Sequence, residues 1–129
     1  MPNFSQRSKD NLATCHLDLQ RVMLEAIKVA DFAVLCGHRG QAAQDEAYAT
    51  GRSKLLWPNS SHNELPSLAV DLAPWPIDWN DSGRFHYLAG VVMTVARQLG
   101  VVLEWGGNWQ ILVDLPHYQI AEVPGDPPA

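Results

Sequence analysis

A carboxylate stands in the middle of an apolar run. Ala69-Val70-Asp71-Leu72-Ala73 has the pattern of a buried strand, yet Asp71 occupies its centre. Burying an ionised carboxylate is costly unless a counter-charge, a hydrogen-bond donor or a metal compensates it. Capping a turn or pairing with an arginine would meet that need, and so would a metal ion. His62 lies nine positions earlier, beyond a segment containing Pro66. The natural geometry is a loop end followed by a strand, with both side chains turned to one pocket.

A distant tetrapeptide, Asp114-Leu115-Pro116-His117, places a second carboxylate three residues before a second imidazole. Pro116 favours an extended path at Leu115. Alone, this segment reads equally well as a loop aspartate and a surface histidine. Joined to the first stretch it completes a set of two imidazoles and two carboxylates. That is enough for a three-ligand zinc site with one carboxylate left over. Catalytic zinc takes three protein ligands and keeps a fourth position for water. A free carboxylate nearby can take the proton from that water. His16, His38 and His86 have no comparable carboxylate context.

The length of 129 residues suits one domain, 1–129, with its own core. A hydrophobic fraction of 47% with 18% charged residues is a globular composition. The formal charge of −5, with Lys and Arg scattered, argues against a nucleic-acid-binding face. No apolar run is long enough to span a bilayer, so no membrane insertion is expected. Met1 to Arg7 lacks the apolar stretch of a signal peptide, which places the starting point in the cytoplasm. Cys15 and Cys36 match no disulfide framework or CxxC motif. Cys15-His16 and Cys36-Gly37-His38 could be imagined as a second metal site, although small buried thiols are common in cores.

Periodicity predicts a short helix over 5–13 and a stronger one over 17–30, where Leu19, Val22, Met23, Ile27 and Ala30 share a face. Phe32 to Cys36 reads as a buried strand and Gln41 to Thr50 as a helix stopped by Gly51. A strand follows over 69–73, closed by Pro74 and Pro76. The clearest helix runs from Arg84 to Leu99, with Gly100 as its stop. Strands are predicted over 101–105 and 117–121, and the proline-bearing tail 122–129 is expected to fray. This order implies an α+β fold with a small, mostly antiparallel sheet and helices packed on one side.

Ser60-x-His62, Ala69-x-Asp71, Trp105-Gly106-Gly107-Asn108-Trp109 and Asp114-x-Pro116-His117 together resemble the zinc D-Ala-D-Ala carboxypeptidase / L-alanyl-D-glutamate peptidase family, closest to its phage endolysin branch. Gly37-His38-Arg39 with Gln44, Ala47-Tyr48 and Gly51-Arg52 extend the likeness, which covers roughly Leu12 to Ile120. The resemblance implies the Hedgehog/DD-peptidase type of fold and a zinc enzyme that hydrolyses the L-Ala–D-Glu bond of peptidoglycan stem peptides. By position, His62, Asp71 and His117 would hold Zn2+ and Asp114 would be the general base. Arg39 would steady a substrate carbonyl or carboxylate, while Gln44 and Ser60 would line the pocket. Trp105 and Trp109 read as core or pocket wall, and both are candidate substrate-binding residues. A D-alanyl-D-alanine carboxypeptidase with the same metal site, or a non-catalytic wall-binding module, would share these motifs. The resemblance also implies a monomer that waits in the host cytoplasm until lysis and then meets the cell wall. Two features depart from the family pattern. The His62–Asp71 interval is two longer than its common form, which predicts that the extra residues bulge outward. Asn108 replaces a frequent Asp.

Overall fold

Residues 2–121 are described by a computed structural model of the chain; the tail 122–129, predicted to fray, lies outside them. Helix α1 spans Gln6–Leu12, α2 Leu17–Ala26, α3 Gln41–Ala49 and α4 Ser82–Leu99. The strands are β1 Phe32–Cys36, β2 Ala69–Pro74, β3 Leu103–Trp105 and β4 His117–Ile120. Two single 3-10 turns, Ser61–Asn63 and Gly106–Asn108, sit beside the strands that carry Asp71 and His117 respectively.

The helix ends follow local chemistry. Ser5 caps α1 by accepting from the Ser8 amide at 3.1 Å, and Asp81 caps α4 by accepting from the Arg84 amide at 3.3 Å. His16 serves the same purpose for α2, its Nδ1 accepting from the Asp18 amide at 3.0 Å. Helix α2 ends four residues short of the predicted Ala30. The Lys28 and Val29 amides bond to carbonyls three residues back, so the last turn tightens out of α geometry. Gly100, at φ +74°, closes α4, with Val101 N–H donating to Ala96 and Gly100 N–H to Arg97. That cap consumes Val101, and β3 therefore starts at Leu103 rather than 101. Pro74, predicted to close β2, is its last residue.

The sheet order is β1-β2-β4-β3 and every neighbouring pair is antiparallel. Strand side chains alternate between the two faces. Phe32, Val34, Val70, Leu72, Leu103, Trp105, Tyr118 and Ile120 join α2 and α4 in the hydrophobic core. The alternate positions, Asp71, His117, Gln119 and Glu104, fall on the other face. Asp71 is directly opposite His117, and Glu104 is directly opposite Gln119. Strand β1 slips register between Val34 and Cys36, a bulge that leaves Leu35 unpaired. Without it, Cys36 would point into the core beside Val34. With it, Cys36 lies opposite Asp71 on the polar face.

Gly37 follows the bulge in a tight space. A Cβ there would collide with the Asn11 carbonyl and the Thr14 hydroxyl. Gly37→Ala should cost roughly 1–3 kcal/mol of stability through overpacking, read from the urea midpoint; an unchanged midpoint would contradict this packing.

Candidate metal centre

Asp71 Oδ1 is 3.2 Å from His62 Nε2 and 3.2 Å from His117 Nδ1. The two rings meet edge to face with centroids 5.1 Å apart. The structure thus brings together the residues that the sequence proposes as metal ligands. His62 and His117 are buried, and the cleft above them is also lined by Asp114.

The far nitrogens of the two rings decide what the near ones can do. His62 Nδ1 lies 2.7 Å from the Gly37 carbonyl, which only accepts, so Nδ1 must donate. His117 Nε2 lies 2.7 Å from Gln119 Oε1. The Gln119 amide cannot be turned round, because its Nε2 donates to Glu104 at 3.1 Å. His117 Nε2 is therefore also the donor. In the neutral imidazoles, Nε2 of His62 and Nδ1 of His117 are then lone pairs, both facing one carboxylate oxygen. Three electron-rich atoms converge, and only a shared cation or extra protons can hold them together. A divalent metal fits this set, and the outer acceptors orient the rings as metal-binding imidazoles require.

Protons are the alternative cation. Burial opposes charge on His62, but hydrogen bonding to Asp71 and Cys36 overcomes it and raises the pKa to about 10. Asp71 is buried as well, yet hydrogen bonds from His117 and His62 hold its carboxyl well below the usual range. Both directions express the same demand for positive charge beside Asp71.

Cys36 offers a competing set: its Sγ, His62 and Asp71 present ligand atoms within 4.8 Å of one another. Its approach to His62, at 3.9 Å, is to Nδ1, the nitrogen already committed to Gly37. Arg39 also reaches the thiol at 3.8 Å. The set containing His117 uses the free nitrogens and faces the cleft, so it is the better metal site. Both cysteines are free thiols. Burial pushes Cys15 up to about 12, and it belongs to the core. The imagined second metal site is not assembled: His16 caps α2 and His38 Nδ1 meets the Glu64 carbonyl at 2.9 Å.

The remaining candidates separate into cleft and support. Ser60 lines the cleft, and its hydroxyl accepts from the His62 amide at 3.2 Å. Trp109 also lines it, its ring 5.1 Å from that of His117. Arg39 reaches the cleft with Nη2 3.8 Å from Asp71 Oδ2, and Nη1 donates to Gln44 at 3.0 Å. Gln44 itself is a correction. It is fully buried beneath the cleft, where its amide donates to Ser53 and the Leu55 carbonyl and its oxygen accepts from Arg39 and Asn63. It holds Arg39 and the 53–55 loop and offers nothing to a bound molecule. Trp105 is a second correction as a substrate contact, since it is a core residue whose indole donates to the Leu115 carbonyl at 2.8 Å. The extra residues between His62 and Asp71 do bulge outward, with Glu64, Leu65 and Pro66 exposed.

Asp114 is half-buried, and burial together with the nearby charge of Asp71 raises its pKa. Such a carboxylate is a stronger base than an exposed one. Beside it, Ile111, Leu112 and Val113 form an exposed apolar run, with Leu112 at φ +58°. Sequence reasoning missed Gln119 and the Gly37 carbonyl. Gln119 carried a usable signal, because a residue two after His117 in a strand shares its face. A backbone carbonyl carries none.

Residues 2–121 match the family described as phage L-alanyl-D-glutamate peptidase. The chain is similar to the peptidoglycan L-alanyl-D-glutamate endopeptidase CwlK of Bacillus subtilis, 31% identical over 112 residues that cover 74% of this chain. The match spans 64% of that relative's length. The fold is similar to the crystal structure of the Serratia marcescens L-Ala D-Glu endopeptidase ChiX, with a TM-score of 0.78 and 35% identity. That likeness covers 92% of this chain and 90% of the other.

Gln119→Leu removes the acceptor that orients His117 and should weaken metal binding about 10–100-fold, as read by competition with a chromophoric chelator. Undiminished affinity would show that Gln119 does not set the ring's tautomer.

Proposed function

Because this chain belongs to the phage L-alanyl-D-glutamate peptidase family, we propose that it is a zinc-dependent endopeptidase of peptidoglycan stem peptides, cutting the L-alanyl-D-glutamate bond. The observation that carries this reading is the pair of imidazole lone pairs aimed at Asp71 Oδ1, with a spare carboxylate, Asp114, lining the same cleft. A purely structural metal site would have no use for that spare group.

His62, Asp71 and His117 would hold the zinc. Bound there, zinc supplies Lewis acidity and makes water easier to deprotonate. Asp114 takes the proton as water attacks the scissile carbonyl and hands it to the leaving amine. Its raised pKa favours both halves of that task, since the group must first accept and then release. Arg39 is held by Gln44 and faces the cleft, so its guanidinium can steady the carbonyl oxygen as charge builds there. Trp109 walls the cleft beside His117 and limits where a peptide can lie.

No helix among the described residues is long and apolar enough to cross a membrane. We assign the enzyme to host lysis, acting on the wall after release from the host cytoplasm.

Asp114→Ala should lower kcat/KM on a muropeptide substrate by about 10²–10⁴-fold, the usual contribution of a positioned acid–base group, while metal content stays at the wild-type level. Retained activity with zinc bound would remove Asp114 from the chemistry. Mass spectrometry of digested peptidoglycan should show new D-glutamate amino termini; release of free D-alanine alone would make the protein a carboxypeptidase.

A further inference from the structure

The cleft is more cationic than the protein that contains it. The chain carries a formal charge of −5, yet Arg39, Arg52 and Lys54 all line this one cleft. The carboxylates in its lining are Asp71 and Asp114, and Asp71 already faces Arg39 and two imidazoles. The three cations are not equivalent. Arg39 is engaged by Gln44 and Asp71. Arg52 leans away, with Nη2 3.7 Å from Glu46 and Nε donating to Thr50. Lys54 is exposed and has no ion-pair partner among the described residues. The backbone that carries it is nonetheless held, because buried Gln44 anchors the residues on either side of it through the Ser53 hydroxyl and the Leu55 carbonyl. A second lining segment, Leu112 and Val113, is apolar.

The two sides of an L-Ala–D-Glu bond differ in the same way. The alanine side is small and apolar. A glutamate acylated on its nitrogen has two carboxyl groups, and the peptide continues through only one. The other remains a free carboxylate within a few bonds of the scissile amide. A lysine with no ion-pair partner among the described residues, carried on an anchored loop that lines the same cleft as His62, Asp71 and His117, is complementary to it.

We propose that Lys54 is a specificity-determining residue that binds this free glutamate carboxylate, so the enzyme favours stem peptides bearing it over those in which it is an amide. The proposal rests on the L-Ala–D-Glu reading above. It also assigns buried Gln44 a purpose: one side chain positions both Arg39 and the Lys54 loop.

The test uses two synthetic stem peptides that differ only in carboxylate or carboxamide at that position, with the zinc-loaded protein. Wild type should favour the carboxylate peptide by about tenfold in kcat/KM, the scale of one charge-assisted hydrogen bond. Lys54→Gln should bring the ratio close to one, mainly through KM, and Lys54→Arg should retain most of it. Calorimetry of the two glutamate-side product peptides should show the same loss of discrimination in Kd, independently of turnover. Lys54 is exposed and has no ion-pair partner among the described residues, so thermal midpoints should match and exclude misfolding. A wild-type ratio near one, or a preference that survives Lys54→Gln, overturns this assignment while leaving the endopeptidase intact. Failure to cut either peptide overturns the endopeptidase reading and the assignment with it.

Discussion

One carboxylate oxygen organises this protein. Asp71 Oδ1 faces two ring nitrogens whose partners across each imidazole are both acceptors. Left without a cation, that arrangement sets lone pairs against a negative charge in a buried place. The surrounding fold exists in a form that imposes it. Strand β4 runs antiparallel to β2 with His117 directly opposite Asp71, and the capped turn after Ser60 brings His62 in from the side. A shared cation removes that opposition, and on the proposed reading the cation is a divalent metal.

The sheet separates two tasks by its faces. One face meets α2 and α4 and carries the aliphatic core; the other carries the candidate metal ligands and their supports. The bulge in β1 moves Cys36 from the first face to the second, so that a thiol and Arg39 border the site. Around this rigid floor stand two loops of unlike chemistry, one cationic and tied down by Gln44, the other apolar and leading into Asp114. Such a division suits the substrate proposed for it, neutral on one side of the bond and anionic on the other.

Much of this was legible before any coordinates. Asp71 broke an apolar pattern, and a buried charge demands a partner wherever the chain folds. The spacing of Asp114 and His117 is weak alone and strong beside it, and the family resemblance supplies the roles proposed for them. What escaped the sequence has physical reasons. The Gly37 carbonyl is backbone, and no residue type announces it. Gln44 lies in the right segment and reads as pocket lining, although Ala47, three residues on, shares its inward helical face and is buried with it. Trp105 alternates with exposed Glu104 and shares the core face with Leu103, a pattern readable in the strand but overshadowed by the glycines that follow. Lys54 sits in an irregular loop, where no periodicity tells which way a side chain turns.

The central claim is that two imidazoles and Asp71 hold one metal ion between them, with Cys36 left out. X-ray absorption at the zinc edge of the purified, zinc-loaded protein tests it most directly. The account predicts one zinc per chain with nitrogen and oxygen neighbours at about 2.0–2.2 Å, including two imidazole rings. A sulfur neighbour at about 2.3 Å, or a protein that retains no zinc, would contradict it.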